Sequence, residues 1–387
     1  MIPLSVPNFE GNELKYVTDA VSQEWVSTGG AYIVKMEERI AEYLQVQNAV
    51  ACQSGTAALH LSLIECGVQA GELVIAPTLT FIAAVNPIRY IGAEPVFMDC
   101  DDSLCMDFRK LRKFCEEECR MTEEGLRHNR TNKRIRAVIV VHVFGNMADM
   151  DSIMELAEKY RLKVVEDATE AIGTCYTEGR YKGKFAGTIG DFGAYSFNGN
   201  KIITTGGGGM VVAREQEALA HIRYLSTQAK DDPLFYRHEE VGYNYRMTNV
   251  QAAIGTAQME LLPEFIKRKN DNYDFYKQQL AHFEYGELME FREGTYSNKW
   301  FYALKLYGEK VDLRAFISGL MDVGIQTRAI WELIHTQEPY KDCIAYQIEK
   351  AEHYSRQIIN LPCSTNLSRS QIIEVCDKIK WILGRNR

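Results

Sequence analysis

Lys201 has neighbours that are unusual for a solvated surface lysine. It follows the polar run SFNGN at residues 196–200 and precedes four consecutive glycines at residues 206–209. These neighbours offer small hydrogen-bonding groups and let the backbone approach closely, because glycine adopts angles that other residues avoid. A lysine amine that is available in its neutral form can attack an aldehyde and form a Schiff base. The pattern predicts that Lys201 faces a carbonyl group. For the glycines alone, a flexible turn before a strand is the simpler interpretation.

Two further stretches place polar groups where a ligand could be held. Asp167 ends the run KVVED, and ligands of open α/β sheets gather at the carboxyl ends of such strands. Ser54, Gly55 and Thr56 precede an Ala/Leu-rich helix, whose first free N–H groups, together with the Thr56 hydroxyl, make an anion site. Each stretch also has an ordinary interpretation, as a loop aspartate or as an N-cap.

The three features together meet the needs of one cofactor. Pyridoxal 5'-phosphate requires a lysine for its aldehyde, a carboxylate for its ring nitrogen and donors for its phosphate. Lys201, Asp167 and the turn at residues 54–57 supply these groups, with the Ser196 hydroxyl as an additional donor. We therefore expect Lys201 and Asp167 to be catalytic residues and pyridoxal 5'-phosphate to be the cofactor.

The elements that must position these residues alternate between strands and helices. The run IRAVIVVHV at residues 135–143 is typical of a strand that is buried on both faces, and an amphipathic helix and the run KVVED follow it. This alternation predicts an α/β fold with right-handed crossovers and a mostly parallel sheet. After about residue 255 the pattern changes to a long helix and short strands. We expect a large cofactor-binding domain at residues 1–255 and a small α+β domain at residues 256–387.

Composition excludes several classes of function. The net charge of −8 and the sequence pI of about 5.6 argue against nucleic acid or an anionic membrane surface as a partner. No apolar stretch approaches the roughly 20 residues of a membrane span, and the N-terminus does not resemble a secretory signal. The ten cysteines follow no disulfide framework, which favours reduced thiols in the cytoplasm. Cys115 and Cys119 have helical spacing but no further ligands nearby in the sequence, so we expect no metal site.

A series of stretches along essentially the whole chain resembles the DegT/DnrJ/EryC1/StrS family of sugar aminotransferases. In chain order these stretches are WVSTGG, SGTAALHLSL, PTLTFIAAVNPI, GAEPVFMD, VHVFGN, EDATEA, GDFGAYSFNGNKIITTGGGGM, GYNYRMTNVQAAIG, TRAIW and IHTQEPY. The resemblance implies the aspartate-aminotransferase type of fold (fold type I). Its large domain would have a mostly parallel seven-stranded sheet, and its C-terminal domain would be smaller and α+β.

The resemblance also implies roles for individual residues. Lys201 would carry the cofactor and Asp167 would contact its ring nitrogen. Phe81 would stack on the ring, although a core position is the commoner fate of a phenylalanine. Asn244 would reach the phosphate from a partner subunit, so that a homodimer shares its sites; a turn residue is the alternative. The remaining cofactor-binding residues would be Gly55, Thr56, Ala57, Glu170, Ser196 and Asn198.

The resemblance is closest to the branch that aminates a nucleotide-linked 2-acetamido-4-keto-6-deoxyhexose with L-glutamate, on routes to legionaminic acid or bacillosamine. Many members have histidine where this chain has Asn198, and glutamine or histidine where it has Glu170. Candidate substrate contacts, each of which could equally be a packing or surface residue, are Trp25, Thr28, His142, Arg237, His238, Arg328 and His335.

Two other functions remain open from the sequence. One is amination of a 3-keto nucleotide sugar by a related enzyme with different regiochemistry. The other is a regulator or binding protein that kept the fold without catalysis, against which the joint presence of Lys201 and Asp167 argues. A related group of sugar dehydratases has histidine in place of the Schiff-base lysine, so Lys201 argues against that chemistry.

Overall fold

The computed structural model describes residues 1–232, 234–307 and 311–385. Its helices are α1 Glu13–Ser22, α2 Ala31–Leu44, α3 Gly55–Glu65, α4 Asn86–Tyr90, α5 Phe108–Glu117, α6 Met150–Tyr160, α7 Gln216–Ser226, α8 Asn249–Gln279, α9 Leu313–Asp322, α10 Lys350–Ser355 and α11 Arg369–Arg385. Its strands are β1 Val50–Cys52, β2 Leu73–Pro77, β3 Glu94–Met98, β4 Cys119–Thr122, β5 Gly125–His128, β6 Ile135–Val141, β7 Lys163–Asp167, β8 Cys175–Tyr176, β9 Phe192–Ser196, β10 Gly209–Ala213, β11 Gly286–Leu288, β12 Thr295–Tyr296, β13 Tyr302–Leu306, β14 Arg328–Ala329, β15 Ile344–Tyr346 and β16 Ile358–Leu361. Among these helices, none has the length and apolarity that crossing a membrane requires.

The apolar runs form one large central sheet. Its strand order is β1-β10-β9-β7-β6-β2-β3-β15, and only the two pairings of β10 are antiparallel. The α/β fold class and the mostly parallel sheet are therefore confirmed. The sheet has eight strands rather than the expected seven, because the short β15 from the C-terminal part of the chain pairs with β3. A strand of three residues carries too little periodicity to be read from the sequence.

The parallel strands bring distant residues to one edge of this sheet. β2, β6, β7 and β9 run in the same direction, so their carboxyl ends at Pro77, Val141, Asp167 and Ser196 lie along the same edge. Ligands bind at this edge in open α/β sheets. The candidate site therefore has to be sought there.

A second, antiparallel sheet with the order β11-β13-β16-β14 forms the C-terminal part of the molecule. The chain reaches it through α8, which begins with a capping box at Thr248 and Gln251 and runs through Pro263 without ending. The expected domain boundary between residues 255 and 256 therefore lies inside a continuous helix. No Gly-, Pro- or Ser-rich linker marks it in the sequence, because a helix that packs on both parts needs no flexible connection.

The loop before β9 supports the end of β7. Three backbone N–H groups in residues 187–190 donate to the buried Glu166 carboxylate at 2.9, 2.6 and 2.5 Å. The loop reaches Glu166 by crossing β9 at Gly193, where a side chain would overlap the Gly187 carbonyl. Because Glu166 precedes Asp167 in the strand, this close crossing fixes the strand end on which Asp167 stands.

We predict that Gly193→Ala lowers the free energy of unfolding by roughly 3 kcal/mol, because the added methyl group forces the loop away from β9. Denaturant unfolding monitored by circular dichroism measures the change. Gly384→Ala is the control, since no atom lies within 4 Å of the position that its methyl group would take. A Gly193→Ala protein as stable as the wild type would show that the crossing does not constrain the fold.

Candidate active site

A cavity of about 630 Å³ opens at the carboxyl edge of the central sheet. Its walls come from the large sheet and its loops on one side and from the C-terminal part of the chain on the other. Nine of the residues predicted from the sequence line this cavity. They are Gly55, Thr56, Phe81, Asp167, Glu170, Ser196, Asn198, Lys201 and Arg328.

Lys201 lies in the turn after β9, with its amine withdrawn from water. Its side chain is 12% exposed, and its Nζ lies 3.7 Å from Glu170 Oε1 and 4.1 Å from the centre of the Trp300 ring. Burial lowers the pKa of the Lys201 amine, and the negative charges of Glu170 and Asp167 only partly oppose this effect. Burial therefore makes the neutral, nucleophilic form of this amine easier to reach than in an exposed lysine.

Asp167 is the last residue of β7 and is buried. Its Oδ1 accepts a hydrogen bond of 3.0 Å from the backbone N–H of Thr169. Burial raises the pKa of the Asp167 carboxyl group, against the effects of Thr169 and Lys201. A carboxylate that is this poorly solvated gains most from a cationic partner, such as a protonated ring nitrogen.

The beginning of α3 provides an anion site of the expected kind. Ser54 caps the helix by accepting the Ala57 N–H at 3.0 Å, which leaves the N–H groups of Gly55 and Thr56 free of the cap. A methyl group on Gly55 would lie 2.9 Å from Ser196 Cβ, so only glycine lets the helix begin this close to β9. Ala57 does not line the cavity, and its N–H is taken by Ser54, which corrects the expectation that Ala57 contacts the phosphate.

The consecutive glycines have a related structural reason. Gly209, the first residue of β10, passes so close to the Ser54 backbone that any side chain on it would lie 2.5 Å from the Ser54 carbonyl. Gly206 has φ +78°, in the region that favours glycine. The glycine run therefore allows β10 to pack beside the helix start, and Gly207 and Gly208 line the cavity.

Glu170 is the second acidic group near the Lys201 amine. Its Oε2 accepts the Phe144 N–H at 2.8 Å, and its side chain is 5% exposed. Burial raises the pKa of Glu170 to about 7, and the charge of Lys201 opposes this rise. Glu170 therefore exchanges its proton in the pH range where enzymes work, unlike an ordinary glutamate.

An aromatic wall completes the cavity, and the sequence did not reveal it. Trp300 stacks on Phe301 at 3.8 Å between ring centres, and Phe144 packs against Trp331 at 4.8 Å. Trp300, Phe301 and Trp331 line the cavity. Trp300 stands in the stretch KWFYALKLYG, which alternates like a half-exposed strand, so its periodicity gave no sign of a site. Other lining residues that sequence analysis missed include Leu4, Thr80, Thr169, Asn200 and Asn360.

His142 does not contact the cavity, contrary to the expectation that it binds substrate. It is completely buried; its Nδ1 accepts the Ala148 N–H at 3.2 Å and its Nε2 lies 2.8 Å from Glu166 Oε2. Since Nδ1 accepts a hydrogen bond, Nε2 carries the proton and donates it to Glu166. His142 therefore braces the strand end next to Asp167 and has no free nitrogen for a ligand.

Other predicted substrate contacts lie outside the residues that line this cavity. His335 is bound through Nδ1 to the Thr78 hydroxyl at 2.7 Å. Trp25 is 60% exposed, and Thr28 is exposed near it. The structure of the single chain therefore gives these residues no contact with Lys201 or Asp167.

Arg237, His238 and Asn244 lie on an exposed segment away from this chain's own cavity. Arg237 pairs with Glu239 at 2.8 Å, His238 Nδ1 lies 2.8 Å from the Gln228 carbonyl oxygen, and Asn244 Oδ1 accepts from the Gln228 side chain at 3.1 Å. Residues that enter the active site of another subunit would have to be exposed in this way. That these three residues do so remains a prediction.

The cavity fits pyridoxal 5'-phosphate by the chemistry of its donor set. Lys201 can hold the aldehyde carbon, Asp167 can pair with the ring nitrogen, and the start of α3 with Ser196 can bind the phosphate. Within the described residues, no cluster of three or more histidine, cysteine or acidic side chains could hold a metal ion.

We predict that Glu170→Gln removes a pH dependence from the stability of the cofactor-free protein. Between pH 4.5 and about 7 the unfolded chain loses the Glu170 proton while the folded chain retains it, so wild-type stability falls as pH rises through this window. The variant lacks this loss of stability. Its free energy of unfolding relative to wild type should therefore rise by up to about 3 kcal/mol from pH 4.5 to 8. Urea unfolding at several pH values measures it. Glu155→Gln, on the exposed surface of α6, should keep the wild-type slope.

Comparisons with known proteins agree with this geometry. Residues 7–380 match the DegT/DnrJ/EryC1/StrS aminotransferase family. The chain is 37% identical to the GDP-perosamine synthase of Escherichia coli O157:H7 over 98% of this chain and 97% of that protein. It is 27% identical to the UDP-4-amino-4,6-dideoxy-N-acetyl-beta-L-altrosamine transaminase of Campylobacter jejuni, over 100% of this chain and 98% of that protein.

Solved structures give the same result. The crystal structure of the aminotransferase TlmJ from Streptoalloteichus hindustanus superimposes with a TM-score of 0.89 and 26% identity, covering 100% of both chains. A buried lysine and aspartate in one cavity, a helix start beside them and a family match over nearly the whole length lead to one conclusion. The chain belongs to the DegT/DnrJ/EryC1/StrS aminotransferase family and is a pyridoxal-phosphate-dependent nucleotide-sugar aminotransferase.

Proposed function

We propose that this enzyme transfers an amino group from L-glutamate to the C4 keto carbon of a nucleotide-linked 2-acetamido-4-keto-6-deoxyhexose. The product would be a nucleotide-linked 4-amino sugar for surface glycans of the legionaminic acid or bacillosamine type. The observation that carries the proposal is the buried Lys201 amine, which lies 3.7 Å from Glu170 in a cavity that also holds Asp167.

The chain's own groups have distinct tasks in this reaction. Bound pyridoxal 5'-phosphate supplies an aldehyde that exchanges amines and a ring that takes up electrons when a proton leaves the neighbouring carbon. Asp167 keeps the proton on the ring nitrogen. The Lys201 amine would remove the α-proton of the amino donor as a general base. As a general acid it would then return a proton to the carbon that exchanges the amine. The start of α3 binds the phosphate, and the aromatic wall excludes water from the reacting atoms.

Relatives support amination at C4. The names of the Campylobacter jejuni relative and of a relative from Shewanella sediminis, UDP-4-amino-4-deoxy-L-arabinose–oxoglutarate aminotransferase, both place the amine at C4. The first of these names also contains an N-acetyl group and a 6-deoxy carbon. The nucleotide differs among relatives, since three names contain GDP and three contain UDP, so the proposal leaves the nucleotide open.

The proposal includes a homodimer with shared sites. Leu234, Phe235, Tyr236 and Val241 are 72–83% exposed, and they surround the segment that holds Arg237 and His238. Apolar side chains this exposed on one loop are typical of an interface. Asn244 lies beside the same segment, so a second subunit that covers it would receive Asn244 near its own helix start. The ten cysteines are all free, which supports function in the reducing cytoplasm.

We predict that purified enzyme with L-glutamate aminates at least one member of a panel of UDP-, GDP- and dTDP-linked 4-keto-6-deoxy sugars, with and without a 2-acetamido group. Mass spectrometry and NMR of the product identify the sugar and the aminated carbon. Lys201→Ala should lose turnover by a factor of about 10⁴ or more, because the proton carrier is gone while the phosphate donors remain. An amine at C3, or full turnover by Lys201→Ala, would contradict the proposal.

A second prediction concerns the shared site. Lys201→Ala and Asn244→Asp homodimers should each be inactive, the latter because a carboxylate would face the phosphate. A hybrid dimer of the two carries one intact site and should recover about half of the wild-type activity, as isologous symmetry requires. Co-expression with two affinity tags isolates the hybrid. A hybrid without activity would place Asn244 in its own subunit's site.

A further inference from the structure

A second cavity, of about 770 Å³, opens at the edge of the central sheet opposite the active site. Its walls come from the end of α6, the first residue of β7, the loops within residues 180–191 and Arg214 after β10. Lys163 and Asp167 are the two ends of β7, so about 13 Å of strand separates this cavity from the edge that carries the active site. Its volume lies in the range of small-molecule sites.

Positive charge is concentrated in this second cavity, although the whole chain carries a net charge of −8. Two acidic side chains, Glu158 and Asp191, line it together with five cationic ones. The cationic side chains come from three separate stretches of the chain, so the fold is what brings them together. They are Arg161, Lys163, Arg180, Lys184 and Arg214.

Contacts within the protein use two of these five cations. Lys163 pairs with Asp191 at 3.0 Å, and Asp191 also accepts the Val164 N–H at 2.8 Å, so this carboxylate is already neutralised and bonded. Arg214 Nη2 donates to the Ile189 carbonyl oxygen at 2.7 Å. These contacts fix one wall of the cavity.

The other three cations are left for a ligand. Arg161, Arg180 and Lys184 are exposed, and within the described part of the chain none of them forms an ion pair. The Arg180 guanidinium lies 5.2 Å from the centre of the half-buried Tyr181 ring, which also lines the cavity. A concave surface with an excess of one charge concentrates ions of the opposite sign. Two guanidinium groups and an ammonium group are donors that suit phosphate oxygens, because guanidinium forks present paired N–H groups.

We propose that this second cavity binds a diphosphate-bearing ligand. Arg161, Arg180 and Lys184 bind the phosphate oxygens, and the Tyr181 ring offers a surface on which a nucleotide base stacks. The substrates of a nucleotide-sugar aminotransferase carry a diphosphate group, so ligands of this class are present where the enzyme works. Occupancy of the cavity does not depend on which carbon of the sugar the enzyme aminates.

The wall of this cavity belongs to the loop that supports the active site. Residues 188–189 line it, and backbone N–H groups of residues 187–190 hold the Glu166 carboxylate. Arg214 is bonded to the same loop through the Ile189 carbonyl. A ligand that bridges the cations of the cavity restrains this loop, so binding should slow hydrogen exchange of its amides.

The test is titration of the holoenzyme with inorganic pyrophosphate, followed by isothermal calorimetry at low salt. The double variant Arg180→Gln/Lys184→Gln should raise the pyrophosphate dissociation constant about tenfold or more, because it lacks two charged donors. Lys182→Gln is the matched control and should bind as wild type does, since Lys182 is exposed on the same loop but does not line the cavity. Without pyrophosphate, both variants should keep wild-type turnover, because none of these lysines and arginines lines the active-site cavity.

UDP distinguishes the two sources of a diphosphate group, once the binding that the double variant retains has been subtracted. If UDP binds more tightly than pyrophosphate and Tyr181→Leu removes the difference, the ligand is a nucleotide. Equal affinities identify the diphosphate group alone as the recognised part.

Hydrogen exchange with mass spectrometry gives a second readout. Pyrophosphate should slow exchange of the peptide that covers residues 187–190 in wild type and in Lys182→Gln, and should leave it unchanged in the double variant. A wild-type enzyme that binds no pyrophosphate, a double variant that binds it as tightly as wild type, or an equal loss in Lys182→Gln would overturn the proposal. Pyrophosphate binding without any change in exchange would contradict the restraint of the loop.

Discussion

Removal of the Lys201 amine from water is the constraint on which the rest of the structure depends. An ordinary lysine is protonated at neutral pH and cannot attack a carbonyl carbon, so the fold has to disfavour the charged form. Burial does this, and two acidic side chains nearby limit the effect by attracting the proton. The Trp300 ring at 4.1 Å provides an apolar but polarisable neighbour that tolerates either state. Burial and the two acidic side chains therefore act on the proton of this amine in opposite directions.

The scaffold serves this balance through close backbone approaches. Glycines at positions 55, 193 and 209 let a helix start, a loop and a strand pack at distances that any side chain would prevent. The same packing holds Asp167 in place, since Glu166 beside it is fixed by three backbone N–H groups and by His142. These contacts do not touch the reacting atoms. They keep Lys201 and Asp167 in register with the helix start, and small displacements of reacting groups have large effects on rate.

The C-terminal part of the chain brings what the large sheet lacks. It provides the aromatic wall at Trp300 and Trp331 and the cation at Arg328, while the central sheet provides Lys201 and the acids. One cavity must accept a small amino acid and then a much larger nucleotide sugar. The walls of the cavity therefore come from two parts of the chain that differ in chemistry, one rich in aromatic rings and one that carries the acids.

The sequence by itself determined the family and the cofactor and predicted the pair Lys201 and Asp167, because each of these signals depends on residues close together in the chain. Lys201 with its glycines, Asp167 at a strand end and Gly55-Thr56 at a helix start are local patterns. Tertiary structure decided which distant residues share a cavity. It buried His142 behind Glu166, gave the Ala57 N–H to Ser54, added β15 to the sheet and placed Asn360 beside Arg328. Burial and cross-strand register follow from how the whole chain packs. The type of a residue does not reveal whether its polar atoms find hydrogen-bond partners in the fold.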